Sequence, residues 1–319
     1  MMINLTEEQI MKNWKSNEIV VSINTLAYNH EKYIAQCIEG ILMQKTNFAF
    51  ELLIHDDAST DKTAEIIREY EKKYPNIVKP IYQTENQWSK KIKISITHQY
   101  PRAKGKYIAL CEGDDYWIDE NKLQMQVDFL EKNPEYGMCF HGAIEHYEDG
   151  SIPDRVFSKL KTKKYTAYEI IKHWIIPTAS MIFRFQLIQD TAYHSLVRDK
   201  RIFYGDKPLY IFLESKSKVW CMSNVMSVYR RHEGGTVFFF SFERNYRNFF
   251  QTEALMEHCP KAYLPLLMLK LRIAAYNCSI AIFMKEWNIA KRFFQLSIFS
   301  NLFLVSLYII KCLHISFII

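Results

Sequence analysis

Glycine and proline are scarce in this chain, nine of each among 319 residues. No Gly-x-Gly-x-x-Gly follows an apolar run, which argues against a Rossmann dehydrogenase, and no internal repeat or low-complexity segment stands out. The seven cysteines (37, 111, 139, 221, 259, 278 and 312) are odd in number, scattered, and include no Cys-x-x-Cys. That usage fits reduced cytosolic thiols and not a disulfide framework or a zinc site. Residues 1–15 are polar, carry Glu7 and Glu8, and have no apolar run of the kind a secretory signal needs. Acidic residues are nearly missing from one region. Beyond residue 259, seven basic residues face Glu286 alone, which leaves 34 basic and 34 acidic residues in the first 259. A neutral body argues against nucleic acid as a partner, and a basic, apolar tail suits an anionic surface.

What is present is a globular composition, 49% hydrophobic and 24% charged, enough for a sizeable core. Apolar runs at Ile19–Asn24, Phe50–His55 and Tyr107–Cys111 read as buried strands, with a weaker edge strand at Ile77–Tyr82 because Pro80 cannot donate to a ladder. Between them, Ile34, Cys37, Ile38, Ile41 and Leu42 repeat at helical spacing over Glu31–Gln44. A second helix runs to about Tyr74, with Ser59 or Thr60 expected as its N-cap. A basic helical stretch is expected over Lys90–Ala103. Strands alternating with helices imply βαβ units and a mostly parallel sheet, an α/β fold over residues 18–142. Further on come a helix at Asn121–Lys132, strands at Gly137–His141, Ala179–Phe183 and Val225–Arg230, and a helical remainder from about Phe242.

Tyr107 to Trp117 is the stretch around which the chain is organised. Its strand runs straight into Glu112, Asp114 and Asp115, and three acids within four residues call for a compensating cation. In a parallel sheet the ends of the strands at Thr25–Asn29, Asp56-Asp57 and Glu112–Asp115 share one rim, where open α/β sheets bind ligands.

Three segments in this order resemble the glycosyltransferases of family 2, whose fold is GT-A, a Rossmann-like nucleotide-diphospho-sugar transferase fold. They are Val20-Val-Ser-Ile-Asn-Thr-Leu-Ala-Tyr-Asn-His-Glu-Lys-Tyr-Ile34, Leu53-Ile-His-Asp-Asp-Ala-Ser-Thr-Asp-Lys-Thr63 and Lys104-Gly-Lys-Tyr-Ile-Ala-Leu-Cys-Glu-Gly-Asp-Asp115. The resemblance is strong to about residue 140 and looser to about 236. It implies inverting transfer of a sugar from a nucleotide-sugar donor, UDP-linked in the first instance, to a glycan or lipid-linked acceptor. Thr25, Tyr28 and Asp56 would bind the nucleotide, with Asp57 supporting the loop and Asp114 reaching the diphosphate. Glu112, Asp114 and Asp115 look like the family's DxD metal motif, with Glu112 where Asp is commoner. They would hold Mn²⁺ or Mg²⁺, with His232 completing the metal shell or touching the diphosphate. Asp206, in Tyr204-Gly-Asp-Lys-Pro208, is similar to the family's catalytic acid and would be the base; it also suits the N-cap of a helix, and both roles can hold at once.

His55, His98 and the lysines at 90, 91 and 93 read as structural or solvated groups, and Tyr116 and Trp117 as packing. Thr178 and Ser180 are weak acceptor-side candidates. Phe238–Phe240 reads as core or interface. The expected division is 1–17 as a lead-in, 18–240 as the transferase domain (18–142 donor half, 143–240 acceptor half) and 241–319 as a helical extension. Leu302–Ile319 carries Lys311 mid-segment, where a charge costs about 3 kcal/mol on insertion. An interfacial helix and an ordinary buried helix both fit it. The expected location is the cytoplasmic face of a membrane, in cell-surface polysaccharide or glycolipid synthesis. Two other readings are a sugar-1-phosphate nucleotidyltransferase, disfavoured because Thr25–Asn29 lacks a glycine-rich loop, and a non-catalytic nucleotide-sugar binder.

Overall fold

A computed structural model describes residues 5–172, 175–235 and 241–300, the last four of these as backbone. Two compact units interleave along the chain. The first takes Met1–Thr166, Trp174–Asp190 and Lys216–Phe238, and the second Ala167–His173, Thr191–Ser215 and Phe239–Ile319. The span expected to form an acceptor half is thus divided between both units.

The first unit is one mixed sheet. Strands β1 (Ile19–Ala27), β2 (Ala49–Asp56), β3 (Val78–Tyr82) and β4 (Tyr107–Leu110) form a parallel set in the order β3-β2-β1-β4. Every residue of β2 and β4 is buried, as continuous apolar runs covered on both faces require. Pro80 lies in the edge strand, where its missing donor costs nothing. The sheet continues through β5 (Tyr116–Trp117), β6 (Tyr136–Tyr147), β7 (Arg155–Val156), β8 (Lys163–Tyr165), β9 (Ile182–Arg184) and β10 (Lys218–Arg231). Beyond β4 the order is β9-β6-β10-β5; β9 is antiparallel to both neighbours, and β10 runs parallel to β6 over most of its length. Strands β6 and β10 are far longer than their apolar cores suggested.

The first helices are α1 (Glu7–Met11), α2 (Ile34–Leu42), α3 (Thr63–Lys73) and α4 (Lys122–Lys132). Helix α2 buries Ile34, Cys37, Ile38, Ile41 and Leu42. Its Gly40 packs so closely on the Trp117 backbone that a Cβ would meet the carbonyl oxygen at 2.7 Å. Two local expectations fail. Ser59 and Thr60 do not cap α3: Lys62 holds that position without a side-chain bond. The Ser59 hydroxyl accepts from the Asn29 amide instead, and Thr60 donates to Asn29 Oδ1. Lys90–Ala103 is not one helix but a turn, a π-helical turn at Ser95–Gln99 and a 3-10 turn at Tyr100–Arg102. Gln99 explains part of that, because its amide donates to the Thr25 and Leu53 carbonyls and pins the turn across β1 and β2.

The second unit is helical: α5 (Ala167–Lys172), α6 (Thr191–Arg198), most of α7 (Asp206–Lys216), α8 (Phe242–His258), α9 (Tyr263–Phe283) and α10 (Trp287–Ser300). Lys270 Nζ donates to Glu253 at 2.9 Å and Asn245 to Asn277 at 2.9 Å, tying α9 to α8. The segment Pro260–Phe283 is long and apolar enough to cross a membrane by length and composition, yet it also buries Leu266, Leu271, Ala274 and Ala281. Phe238–Phe240 and the tail at 302–319 lie outside the described residues.

Candidate active site

The carboxyl ends of β1, β2 and β4 carry the candidate residues of the first unit. Beyond β4 the chain stays against β1, with the Cys111 amide donating to the Asn24 carbonyl and the Gly113 amide to Leu26 at 2.9 Å. This path leaves no room beside residue 113. A Cβ there would lie 2.9 Å from both Leu26 O and His30 Nδ1 and 3.2 Å from the Ala27 methyl. Gly113→Ala should therefore displace the loop. We expect about a tenfold loss of transfer activity with most of the fold retained, as read by circular dichroism.

The three acids diverge. Asp114 Oδ2 stands 3.1 Å from His232 Nε2 and 4.0 Å from His30 Nε2. Although buried surroundings oppose its charge, the two imidazoles and hydrogen bonding hold the Asp114 carboxyl below the usual range. Asp115 is 2% exposed, and its Oδ1 accepts from the Arg230 amide at 2.9 Å, tying the loop to β10. Burial, then the charge of Asp114, pushes the Asp115 carboxyl well above the ordinary value. The Glu112 charge adds to burial in raising the Tyr100 phenol.

His30, which sequence reasoning passed over, belongs to this cluster. Its ring lies 6.2 Å from that of His232, and Tyr33 stands 4.8 Å from His232 on another side. Burial lowers the pKa of His30 against the pull of Asp114, favouring the neutral imidazole; its amide is fixed by Thr63 Oγ1 at 2.7 Å. A single histidine in a turn, some two hundred residues from its partner, offers no spacing signal. Arg230 closes the same side, ion-paired with Glu148, hydrogen-bonded to Gln36 and stacked 4.5 Å over Tyr116.

Among the described residues, several buried polar atoms lack partners along β1, β2 and the π-helical turn, on both faces of the sheet, since Asn24 and Thr25 are consecutive in β1. Thr25 Oγ1, Asp56 Oδ1, His98 Nε2 and Asn24 Oδ1 are buried with no hydrogen-bond partner among the described residues. Buried polar atoms are ordinarily paired, so a set of unpaired ones suits a polar ligand. Burial raises the Asp56 carboxyl, and Tyr28 is exposed close by in the chain. Asp57 is used internally: its oxygens accept from the Gln87 and Trp88 amides at 2.7 and 3.0 Å and shape the loop after β3. Trp117 is buried and donates to the Ala179 carbonyl. Ser180 is buried and bonded to the Pro177 carbonyl. Asp206 is the first residue of α7, in the second unit. A cleft of about 380 Å³ lined by Glu18, Lys104, Lys106 and Arg184 opens at the amino ends of β1 and β4 and holds none of these residues.

Whether a divalent cation fits can be judged from the donors. Among the described residues no group of three or more His, Cys, Asp or Glu side chains forms a ligand cage. Asp114 with His232 offers one carboxylate and one imidazole, an incomplete set that oxygens of a bound diphosphate would complete, as hard cations accept. The donors fit.

The model of glycosyl transferase family 2 matches residues 22–191, more than half of the chain. The chain belongs to that family. An Escherichia coli protein, UDP-Glc:alpha-D-GlcNAc-diphosphoundecaprenol beta-1,3-glucosyltransferase WfaP, is 26% identical over 218 residues, 68% of this chain and 79% of that protein. Mycobacterial relatives, 34% identical over 216 residues, are spanned over 60% of their length. Among solved structures, Staphylococcus aureus TarS with UDP-GlcNAc superposes at a TM-score of 0.60 with 16% identity, covering 82% of this chain and 73% of that one. The mannosyltransferase PcManGT of Pyrobaculum calidifontis, with GDP-Man and Mn²⁺, superposes at 0.55 with 13% identity over 98% and 87%. At these identities the likeness is one of fold, and the fold is GT-A.

Proposed function

We propose that this family 2 chain is an inverting glycosyltransferase that uses a divalent cation and a nucleotide-diphospho-sugar donor, in the first instance a UDP-sugar. The observation that carries the reading is the convergence of His232, from the end of β10, on Asp114, from the end of β4, at 3.1 Å. Asp114 and His232 would hold Mn²⁺ or Mg²⁺, and a cation there supplies charge stabilisation for the leaving diphosphate. Asp115 would hold the loop to β10 rather than the ion, and Glu112 would lie beside the diphosphate. Thr25 and Asp56 would receive the nucleoside, whose N–H and hydroxyl groups match their unpaired atoms. Tyr28 would cover its exposed side.

Asp206 is assigned as the base that takes the acceptor's proton, on its family motif. The acceptor class is a glycan or lipid-linked glycan, in line with the diphosphoundecaprenol acceptor in the name of WfaP. Such an acceptor would place the enzyme at the cytoplasmic face of a membrane, with the basic tail as one contact.

The first experiment is a screen of nucleotide sugars for Mn²⁺-dependent thermal stabilisation and turnover. Stabilisation by none of them, with or without metal, would refute the donor reading. Asp206→Asn should keep the Mn²⁺-dependent stabilisation and lose about a thousandfold in turnover. Wild-type turnover in that variant would remove Asp206 from the base role, while binding without turnover in the wild type would favour a nucleotide-sugar sensor.

A further inference from the structure

The turn between α9 and α10 is built unlike a solvent-facing helical corner. The Glu286 amide donates to the Ala281 carbonyl and the Lys285 amide to Ile282 at 3.0 Å, the paired bonds of a Schellman stop. The left-handed position of that stop, which favours glycine, is filled by Lys285 at φ 61°. The corner keeps a cation where glycine would be less strained.

Around that cation stand Ile282, Phe283, Met284 and Trp287, all exposed, Phe283 to 89% and Trp287 to 65%. Four large apolar side chains within six positions at one corner exceed the single exposed residues that any soluble surface carries. Charge chooses the occupant. At and just beyond the turn, Lys285, Lys291 and Arg292 are exposed against one acid, Glu286, beside Lys285. An amphipathic surface with aromatic tips and a cationic margin matches the interfacial layer of an anionic bilayer.

We propose that the α9–α10 turn is a membrane-docking tip. Phe283, Met284 and Trp287 enter the acyl boundary, and Lys285 and Lys291 lie at the level of anionic headgroups. This contact is separate from the tail. It uses no donor-site residue, so it is scored without nucleotide, and its failure leaves the transferase reading untouched.

The test is sedimentation of the full chain with vesicles of phosphatidylcholine containing phosphatidylglycerol, against phosphatidylcholine alone. Wild type should bind the anionic vesicles. Phe283→Ser with Trp287→Ser should bind them about tenfold or more weakly at an unchanged thermal midpoint, since both side chains are solvent-exposed. Lys285→Gly should weaken anionic binding several-fold while leaving the midpoint the same or higher, which loss of fold would not produce. Wild-type affinity for vesicles in the double variant would overturn the proposal. So would a wild-type dimer that the double variant converts to a monomer, which would make a second copy the occupant.

Discussion

Asp114→Asn is expected to lower transfer by three orders of magnitude or more while the protein stays folded. The substitution keeps the shape of the side chain and removes its charge, and the charge is what the site is arranged to use. Asp114 is the residue on which His232, at 3.1 Å, and His30, at 4.0 Å, converge. On the cation-ligand role proposed for Asp114, loss of its charge removes several kcal/mol of stabilisation, and each 1.4 kcal/mol is a factor of ten in rate. The measurement is turnover across a Mn²⁺ titration, together with Mn²⁺ affinity in the presence of nucleotide. Equal activity and metal affinity in variant and wild type would show that the cation site lies elsewhere. Because Asp114 also offsets the buried imidazoles, the Asn variant should bind protons less readily at His30 as well.

The second large effect lies under the site. Lys122 is completely buried, its Nζ has no hydrogen-bond partner among the described residues, and it rests 3.8 Å over the Trp117 ring among Cys111, Cys139 and His141. Burial pulls its pKa from 10.5 down to about 7. Holding an amine there at pH 7.5 costs on the order of 4 kcal/mol relative to the unfolded chain, because the folded side chain must shed most of its proton. Lys122→Met fills the same space without the charge, so it should stabilise the first unit by about 2 kcal/mol and raise its midpoint by a few degrees.

The pH dependence follows from the direction of the shift. Between pH 7 and 10.5 the unfolded chain holds the Lys122 proton and the folded chain does not, so wild-type stability rises with pH from about 7 upward. Cys111 and Cys139, with thiols pushed up by burial, the latter to about 12, act oppositely above pH 9. The rise should therefore appear between pH 7 and 9 and be absent in Lys122→Met, as read by denaturant midpoints. A flat wild-type profile would show that Lys122 keeps its proton in the fold.

Sequence patterns revealed the donor half well and the rest unevenly. Residues 19–82 and 107–111 alternate apolar strands with helices of clear period, and β1, β2, β3 and β4 stand within a few residues of their expected limits. Acids at strand ends were readable because topology alone gathers the ends of parallel strands. The direction of each acid was not. Asp115 turns to the Arg230 amide, a partner 115 positions away that no local pattern announces. The cap of α3 was misplaced for a related reason, since Ser59 and Thr60 find partners in Asn29 across the rim. The π-helical turn follows from Gln99 bonding to two strands. The interleaving of two units between 167 and 215 depends on the tertiary packing of short helices, which local pattern does not announce.

Strand β10 carries one more consequence, for the order in which the molecule can mature. Its pairing with β6 ends at Arg231, and the next residue supplies the imidazole that meets Asp114 from 118 positions away. A chain emerging from synthesis would have the acid loop, β1 and β2 in place well before residue 232 exists. Contacts of such long range form slowly. On the site proposed here, donor-side order and cation affinity would then arise in separate kinetic phases, the second waiting for β10 to close.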